Sequence, residues 1–201
     1  MIKIAVLASG SGTNLQAIIE DVMSGYIPAE IKIVLSDKPD AYALTRAENA
    51  GIKTQAVLPK NYASREEFDN ELVKILKAND VEYVALAGYM RLLSKTFLDA
   101  FPNRVVNIHP ALLPSFPGIH GQRDAVEYGV KVSGCTVHFV DENMDHGPII
   151  AQAPVPVLDD DTEETLKARI LEQEHILFPH VLRLIAEGKV EIQGRKVIIK
   201  D

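Results

Sequence analysis

Apolar and polar positions along this chain fall into two alternating kinds of run. Residues 2–8 are apolar apart from Lys3, which predicts a strand covered on both faces, as in a parallel sheet. A Gly-rich turn follows, and then Leu15, Ile18, Ile19, Val22 and Met23 mark one helical face, with Gly25 placed to close the helix. The alternation continues with a strand at 30–36, a helix at 41–50 stopped by Gly51, and a short strand at 53–57. Ser64 with Glu67 three residues later reads as a capping box, opening a helix whose face is Phe68, Leu72, Ile75 and Leu76. A fourth strand spans 83–87, and Ser94 is expected to cap a short helix.

A fifth strand starts at Val105, and the second half is richer in strands. A short helix is expected at 122–128, closed by Gly129, with strands at 132–140 and 149–157. Pro154 and Pro156 push the last of these towards a sheet edge. Residues 161–164 cap a long helix reaching about 187, with a kink expected at Pro179. Residues 190–192 and 197–199 flank Gln193 and Gly194 as a terminal hairpin. No repeat or linker interrupts the order. It predicts an α/β fold in a single domain, 1–201: one doubly wound, mostly parallel, Rossmann-like sheet with an antiparallel edge.

Composition narrows the function classes. The chain has 201 residues, 47% hydrophobic and 24% charged, the mix of an ordinary soluble globular protein. A net charge of -7 argues against a general nucleic-acid or membrane-surface binder. The lone cysteine, Cys135, permits no intrachain disulfide and no cysteine-based zinc cluster, and reads as a buried structural thiol. The N-terminus enters a strand without a signal-peptide pattern, and no apolar run is long enough to span a bilayer, so the expected location is the cytoplasm.

The chemistry concentrates after the fifth strand. Asn107 and His109 interrupt its apolar run at period two, so both project from one face while Val106 and Ile108 face the other way. Pro110 ends the pairing. Ligands of open α/β sheets bind at the carboxyl ends of strands. An amide and an imidazole sharing a face there read as a site, with hydrogen-bonded core groups as the alternative. The loop 110–120, with prolines at 110, 114 and 117, is expected to expose Leu112, Leu113 and Phe116 and to act as a lid. Residues 141–148 form an acidic Gly-Pro turn carrying Asp145, a candidate second half of the site. His138 shares a face with Thr136 and suits a core histidine.

Three other places stand out. The turn Ser9-Gly10-Ser11-Gly12-Thr13-Asn14 between a strand and a helix offers backbone donors to an anion. It has Leu15 where a dinucleotide fingerprint needs its third glycine, so one phosphate suits it better than a pyrophosphate; a plain βα turn is the alternative. Arg65 sits in a first helical turn, where a cation opposes the dipole, a hint of an anionic partner against the solvated alternative. Glu174 interrupts the stripe Ile170, Leu171, Leu177 and Phe178, where a bare carboxylate is costly. It therefore reads as facing a polar pocket or a ligand amine, or else as lying at the edge of a narrower stripe. The segment after the fourth strand, Gly88 to Leu93, suits a pocket for a flat ring and core packing equally.

Asn107, His109 and Asp145 provide an amide donor for an oxyanion, a proton carrier near neutral pH and a carboxylate. No G-x-S-x-G or other nucleophile motif accompanies them, which favours direct acyl transfer to an external amine and is compatible with hydrolysis.

VVNIHPALLPSFPG followed by TVHFVDENMDHGPIIAQ resembles the folate-dependent formyltransferases. IAVLASGSGTNLQAII and the segment 88–93 narrow the resemblance to the phosphoribosylglycinamide formyltransferase family, over essentially the whole chain. The resemblance implies transfer of a formyl group from 10-formyltetrahydrofolate to the amine of glycinamide ribonucleotide, a step of purine synthesis, with no metal. It implies a catalytic trio of Asn107, His109 and Asp145. It places substrate binding on Gly12, Thr13, Asn14 and Glu174, and folate binding on Arg65, Met90, Arg91, Leu92, Leu93 and Asn107. The family often has a small or hydroxyl residue where His146 stands. The expected partners are these small molecules, with neither nucleic acid nor membrane, and a homodimer as a candidate assembly. A formyltetrahydrofolate hydrolase is the alternative; it shares the trio but carries an extra N-terminal domain, and a transfer-RNA formyltransferase carries an added C-terminal one.

Overall fold

The computed structural model describes all residues, Met1–Asp201. Its elements are β1 (Ile2–Leu7), α1 (Thr13–Met23), β2 (Ala29–Ser36), α2 (Tyr42–Asn49), β3 (Thr54–Ala56), α3 (Arg65–Ala78), β4 (Tyr83–Leu86), α4 (Lys95–Ala100), β5 (Val105–His109), α5 (Gly121–Tyr128), β6 (Val132–Phe139), β7 (Ile149–Pro156), α6 (Glu163–Ala186), β8 (Val190–Gln193) and β9 (Lys196–Ile199). Seven strands form one sheet in the order β3-β2-β1-β4-β5-β6-β7, and β8 and β9 form a separate hairpin. The expected α/β fold is the one observed. The chain divides into two compact units, residues 1–106 and 107–201.

In the first unit β1 pairs in parallel with both β2 and β4, and β2 with β3. Ile4, Ala5, Val6 and Leu7 are fully buried, as a strand covered on both faces requires. The chain moves outward one way from β1 through β2 and β3 and returns to β4 on the other side. That reversal is the switch point of a doubly wound sheet, the place where open sheets of this kind bind their ligands. α1 buries Leu15, Ile18 and Ile19, but Met23 is 73% exposed, contrary to expectation, because the helix is ending there and Gly25 turns the chain away at φ 81°.

Local chemistry sets the helix ends. Ser64 Oγ accepts the Glu67 N–H at 3.1 Å, while the Glu67 carboxylate reaches the Ala63 N–H, one residue earlier than in a full capping box. Ser94 occupies the cap position of α4, yet its hydroxyl makes no capping bond. Its N–H instead donates to the buried Asp69 carboxylate on α3 at 2.6 Å, so a carboxylate from another helix holds this end.

In the second unit β6 and β7 are antiparallel, with β7 at the sheet edge where Pro154 and Pro156 withhold their missing donors. α6 packs on both strands. Thr162 and Thr165 form a reciprocal capping box at its start, and the helix runs through Pro179 without a break. Leu166, Ile170, Glu174, Phe178 and Leu182 form a buried i, i+4 row, and Pro179, Val181 and Ile185 are buried beside it. No helix is long and apolar enough to cross a membrane.

Candidate active site

The second unit assembles the acid–base groups. β5 alternates as expected: Val106 and Ile108 are buried on one face, and on the other His109 is 3% exposed with Asn107 half-buried. Asn107 Nδ2 donates to His138 Nε2 at 3.2 Å, and His138 Nδ1 lies 2.8 Å from the Phe139 carbonyl. A carbonyl only accepts, so the His138 proton is on Nδ1 and the Nε2 lone pair faces the amide. Burial is the main cause that lowers the His138 pKa, and nearby His109 adds to it. The Phe139 carbonyl and the Asp145 and Asp141 carboxylates oppose this without overturning it. His138 is therefore a neutral ring that dictates which way the Asn107 amide points.

His109 is held from the loop. Its Nε2 donates to the Phe116 carbonyl at 2.8 Å, and its Nδ1 lies 3.6 Å from Asp145 Oδ2, a position that bears a proton only in the imidazolium form. Asp145 Oδ2 also accepts the Gly118 N–H at 2.7 Å, and its Oδ1 is 3.9 Å from His138 Nε2. The turn that delivers Asp145 is tight. Asp145 adopts φ 48°, a left-handed conformation that Asp tolerates better than most residues. Gly147 passes so close to the Phe139 carbonyl that no Cβ fits there. His146 turns outward to Asp141, 2.8 Å away, and has no hydrogen bond to Asp145.

The loop 110–120 differs from its expected exposure. Leu113 is buried, and Leu112 and Phe116 are half-buried. Thr136 on β6 explains this: its Oγ1 donates to the Ala111 carbonyl at 2.7 Å and accepts the Leu113 N–H at 3.1 Å. Gln152 on β7 donates to the Leu113 carbonyl at 2.9 Å. The sheet thus ties down the loop before it reaches Phe116.

Glu174 lies in the centre of the buried row of α6, not at its edge, and is 5% exposed. Its charge reaches Cys135: burial first, and Glu174 second, push that thiol up to about 12. Cys135 therefore stays protonated, in keeping with a structural thiol.

The first unit carries the other expected residues. Gly12 caps α1 at φ 73°, and a Cβ there would lie 2.6 Å from Ala43 Cα, so only glycine fits this turn. Thr13 opens the helix and Asn14 is buried beside it. Leu15 is fully buried, which explains why no third glycine stands there: a packed side chain takes up the space. At the other segment Met90 and Leu92 are 58% and 51% exposed, apolar groups left open, whereas Leu93 is buried. The Arg91 guanidinium lies 5.3 Å from the centre of the Phe68 ring. Arg65 begins α3 half-exposed, with Glu66 3.9 Å away.

Residues 2–182 match the sequence profile of the formyl transferase family. The phosphoribosylglycinamide formyltransferase of Escherichia coli (strain K12) is 42% identical over 94% of this chain and 90% of its own length. The chain belongs to the phosphoribosylglycinamide formyltransferase family. The crystal structure of glycinamide ribonucleotide transformylase 1 from Symbiobacterium toebii, 55% identical, superposes with a TM-score of 0.99 over all of this chain and 95% of that one. The trifunctional purine biosynthetic protein adenosine-3 of Drosophila melanogaster is 49% identical over 92% of this chain, which spans only 14% of that protein. A phosphoribosylglycinamide formyltransferase is a transferase, and the second unit suits one: it joins Asn107, His109 and Asp145. His138 belongs with them and was not singled out as a site residue. Its two-residue spacing from Thr136 is the available signal, but that spacing reads equally as core.

Proposed function

We propose that this chain transfers the formyl group of 10-formyltetrahydrofolate to the amine of glycinamide ribonucleotide, as one domain acting on small molecules in the cytoplasm. The observation that carries the reading is the cluster at the carboxyl end of β5, in which Asn107 is hydrogen-bonded to His138 and His109 lies 3.6 Å from Asp145. Residues 12–14 bind the ribonucleotide phosphate and Glu174 receives its amine. Arg65, residues 90–93 and Asn107 bind the folate. The amine attacks the formyl carbon. The Asn107 amide and protonated His109 donate to the oxyanion that forms, the formyl oxygen taking the place at Nε2 that the Phe116 carbonyl now holds. Asp145 supports the imidazolium and accepts the amine proton, directly or through water, and that proton passes to the folate nitrogen as its bond to the formyl carbon breaks. The loop 110–120 moves Phe116 aside to admit the substrate. The reading includes self-association as a homodimer.

The test is turnover of 10-formyltetrahydrofolate, followed spectrophotometrically with and without glycinamide ribonucleotide. Turnover that requires the ribonucleotide is the expected result. Turnover without it makes the chain a hydrolase and removes the phosphate role of residues 12–14.

A further inference from the structure

Ser9 opens the glycine-rich turn and by sequence belongs with the phosphate loop, yet its hydrogen bonds lead elsewhere. Its Oγ donates to Asp37 Oδ1 at 2.6 Å and accepts the Met90 N–H at 3.0 Å. Its own N–H donates to the Gly88 carbonyl at 3.0 Å. Ser9 is almost fully buried, so water does not replace these partners freely. Asp37, just beyond the end of β2, fixes the direction of the hydroxyl proton, which leaves an oxygen lone pair for Met90.

The phosphate loop has its own supports. The Gly10 carbonyl accepts the Ala43 N–H at 3.0 Å, the Ser11 carbonyl accepts Arg46 Nε at 2.7 Å, and Gly12 packs directly on Ala43. All three anchors are on α2. The segment 88–93 is secured at its far end by Phe68 beneath Arg91 and by Asp69 at the Ser94 N–H. At its near end the side-chain anchor is Ser9, which accepts the N–H of the residue before Arg91. We propose that Ser9, oriented by Asp37, is a positioning residue for the folate-binding segment rather than for the phosphate loop. It fixes the backbone at Met90 and so sets where Met90 and Leu92 present their exposed apolar groups. This rests on the functional reading above, which gives residues 90–93 to the folate.

The test is calorimetric titration of the full chain with tetrahydrofolate and, separately, with glycinamide ribonucleotide. Ser9→Ala removes the side-chain acceptor of the Met90 N–H, and folate binding is expected to weaken by about ten-fold. Ribonucleotide binding is expected to change by less than about two-fold, since α2 still holds residues 10–12. Asp37→Ala should show the same split, and Ser9→Ala with Asp37→Ala together should be no worse than Ser9→Ala alone, because both act through one hydroxyl. Asp37→Asn, which keeps an acceptor, should lose less than Asp37→Ala. If Ser9→Ala does not fold, the Asp37 variants carry the same test. Equal weakening of both ligands, or no weakening of folate, overturns the proposal while wild-type binding leaves the functional reading standing. Wild-type protein that binds neither ligand overturns both.

Discussion

The end of β5 and the segment after β4 solve different problems with different materials. At the end of β5 the polar groups are buried or half-buried and hold one another in place: His138 aims Asn107, while Phe116 and Asp145 flank His109. After β4 the side chains on offer are exposed and apolar, Met90 and Leu92, and it is the backbone that is fixed from outside. Groups that stabilise developing charge must be oriented before the reaction, and a low-dielectric surround strengthens them. Groups that take up a flat ring need only open apolar area, which costs little to leave at the surface singly. Substitutions in the first region should therefore act on kcat, and those in the second on affinity.

The largest effect is expected at Asp145. Asp145→Asn keeps the shape and removes the charge beside His109, and kcat should fall by about 10²–10⁴-fold. A kcat within a few-fold of wild type would show that the carboxylate only shapes the turn. Asn107→Ala comes next: losing one oxyanion donor should raise the barrier by about 2.7–4 kcal/mol with ribonucleotide affinity kept. An unchanged turnover number removes the oxyanion role. Gly12→Ala should weaken ribonucleotide binding and lower stability by about 1–3 kcal/mol, because the left-handed backbone is strained and the new Cβ meets Ala43. Urea unfolding measures the second part; wild-type stability would mean that α2 shifts to make room.

A smaller effect concerns pH. His138 is held below its ordinary pKa in the folded chain, so between that value and the unfolded one, about 6.5, the unfolded chain binds more protons. The stability this contributes is fully present above the unfolded pKa and is lost as pH falls below it. His138→Gln should flatten the slope of unfolding free energy as pH falls below about 6.5 relative to wild type. Identical slopes would place the neutral ring in doubt. The smallest change is expected at Tyr89, whose buried hydroxyl has no hydrogen-bond partner in the protein and whose pKa is raised chiefly by burial. Tyr89→Phe should be neutral or stabilising by about 1 kcal/mol. A marked loss of folate affinity would instead give that hydroxyl a role in the binding segment.

Much of this was legible in one dimension, and the misses share a cause. Period two in Val105–His109 put Asn107 and His109 on one face, and a proline closed the strand. Gly12 marked a turn that only glycine fits, and Leu15, where a third glycine is absent, proved to be packed core. The i, i+4 row of α6 carried Glu174 into the interior. Against these, Leu113 was expected in water and is buried, because Thr136 and Gln152, on strands far along the chain, hold its backbone. Ser94 was expected to cap α4 with its hydroxyl, and Asp69 intervenes.

Periodicity is a property of one element, so the sequence by itself determined which residues share a face and where each element stops. Which faces meet is set by strand pairing and helix packing across tens of residues. Only the tertiary structure could therefore turn His138 from a core histidine into the partner of Asn107. Only it could assign the hydroxyl of Ser9 to Met90, 81 residues away.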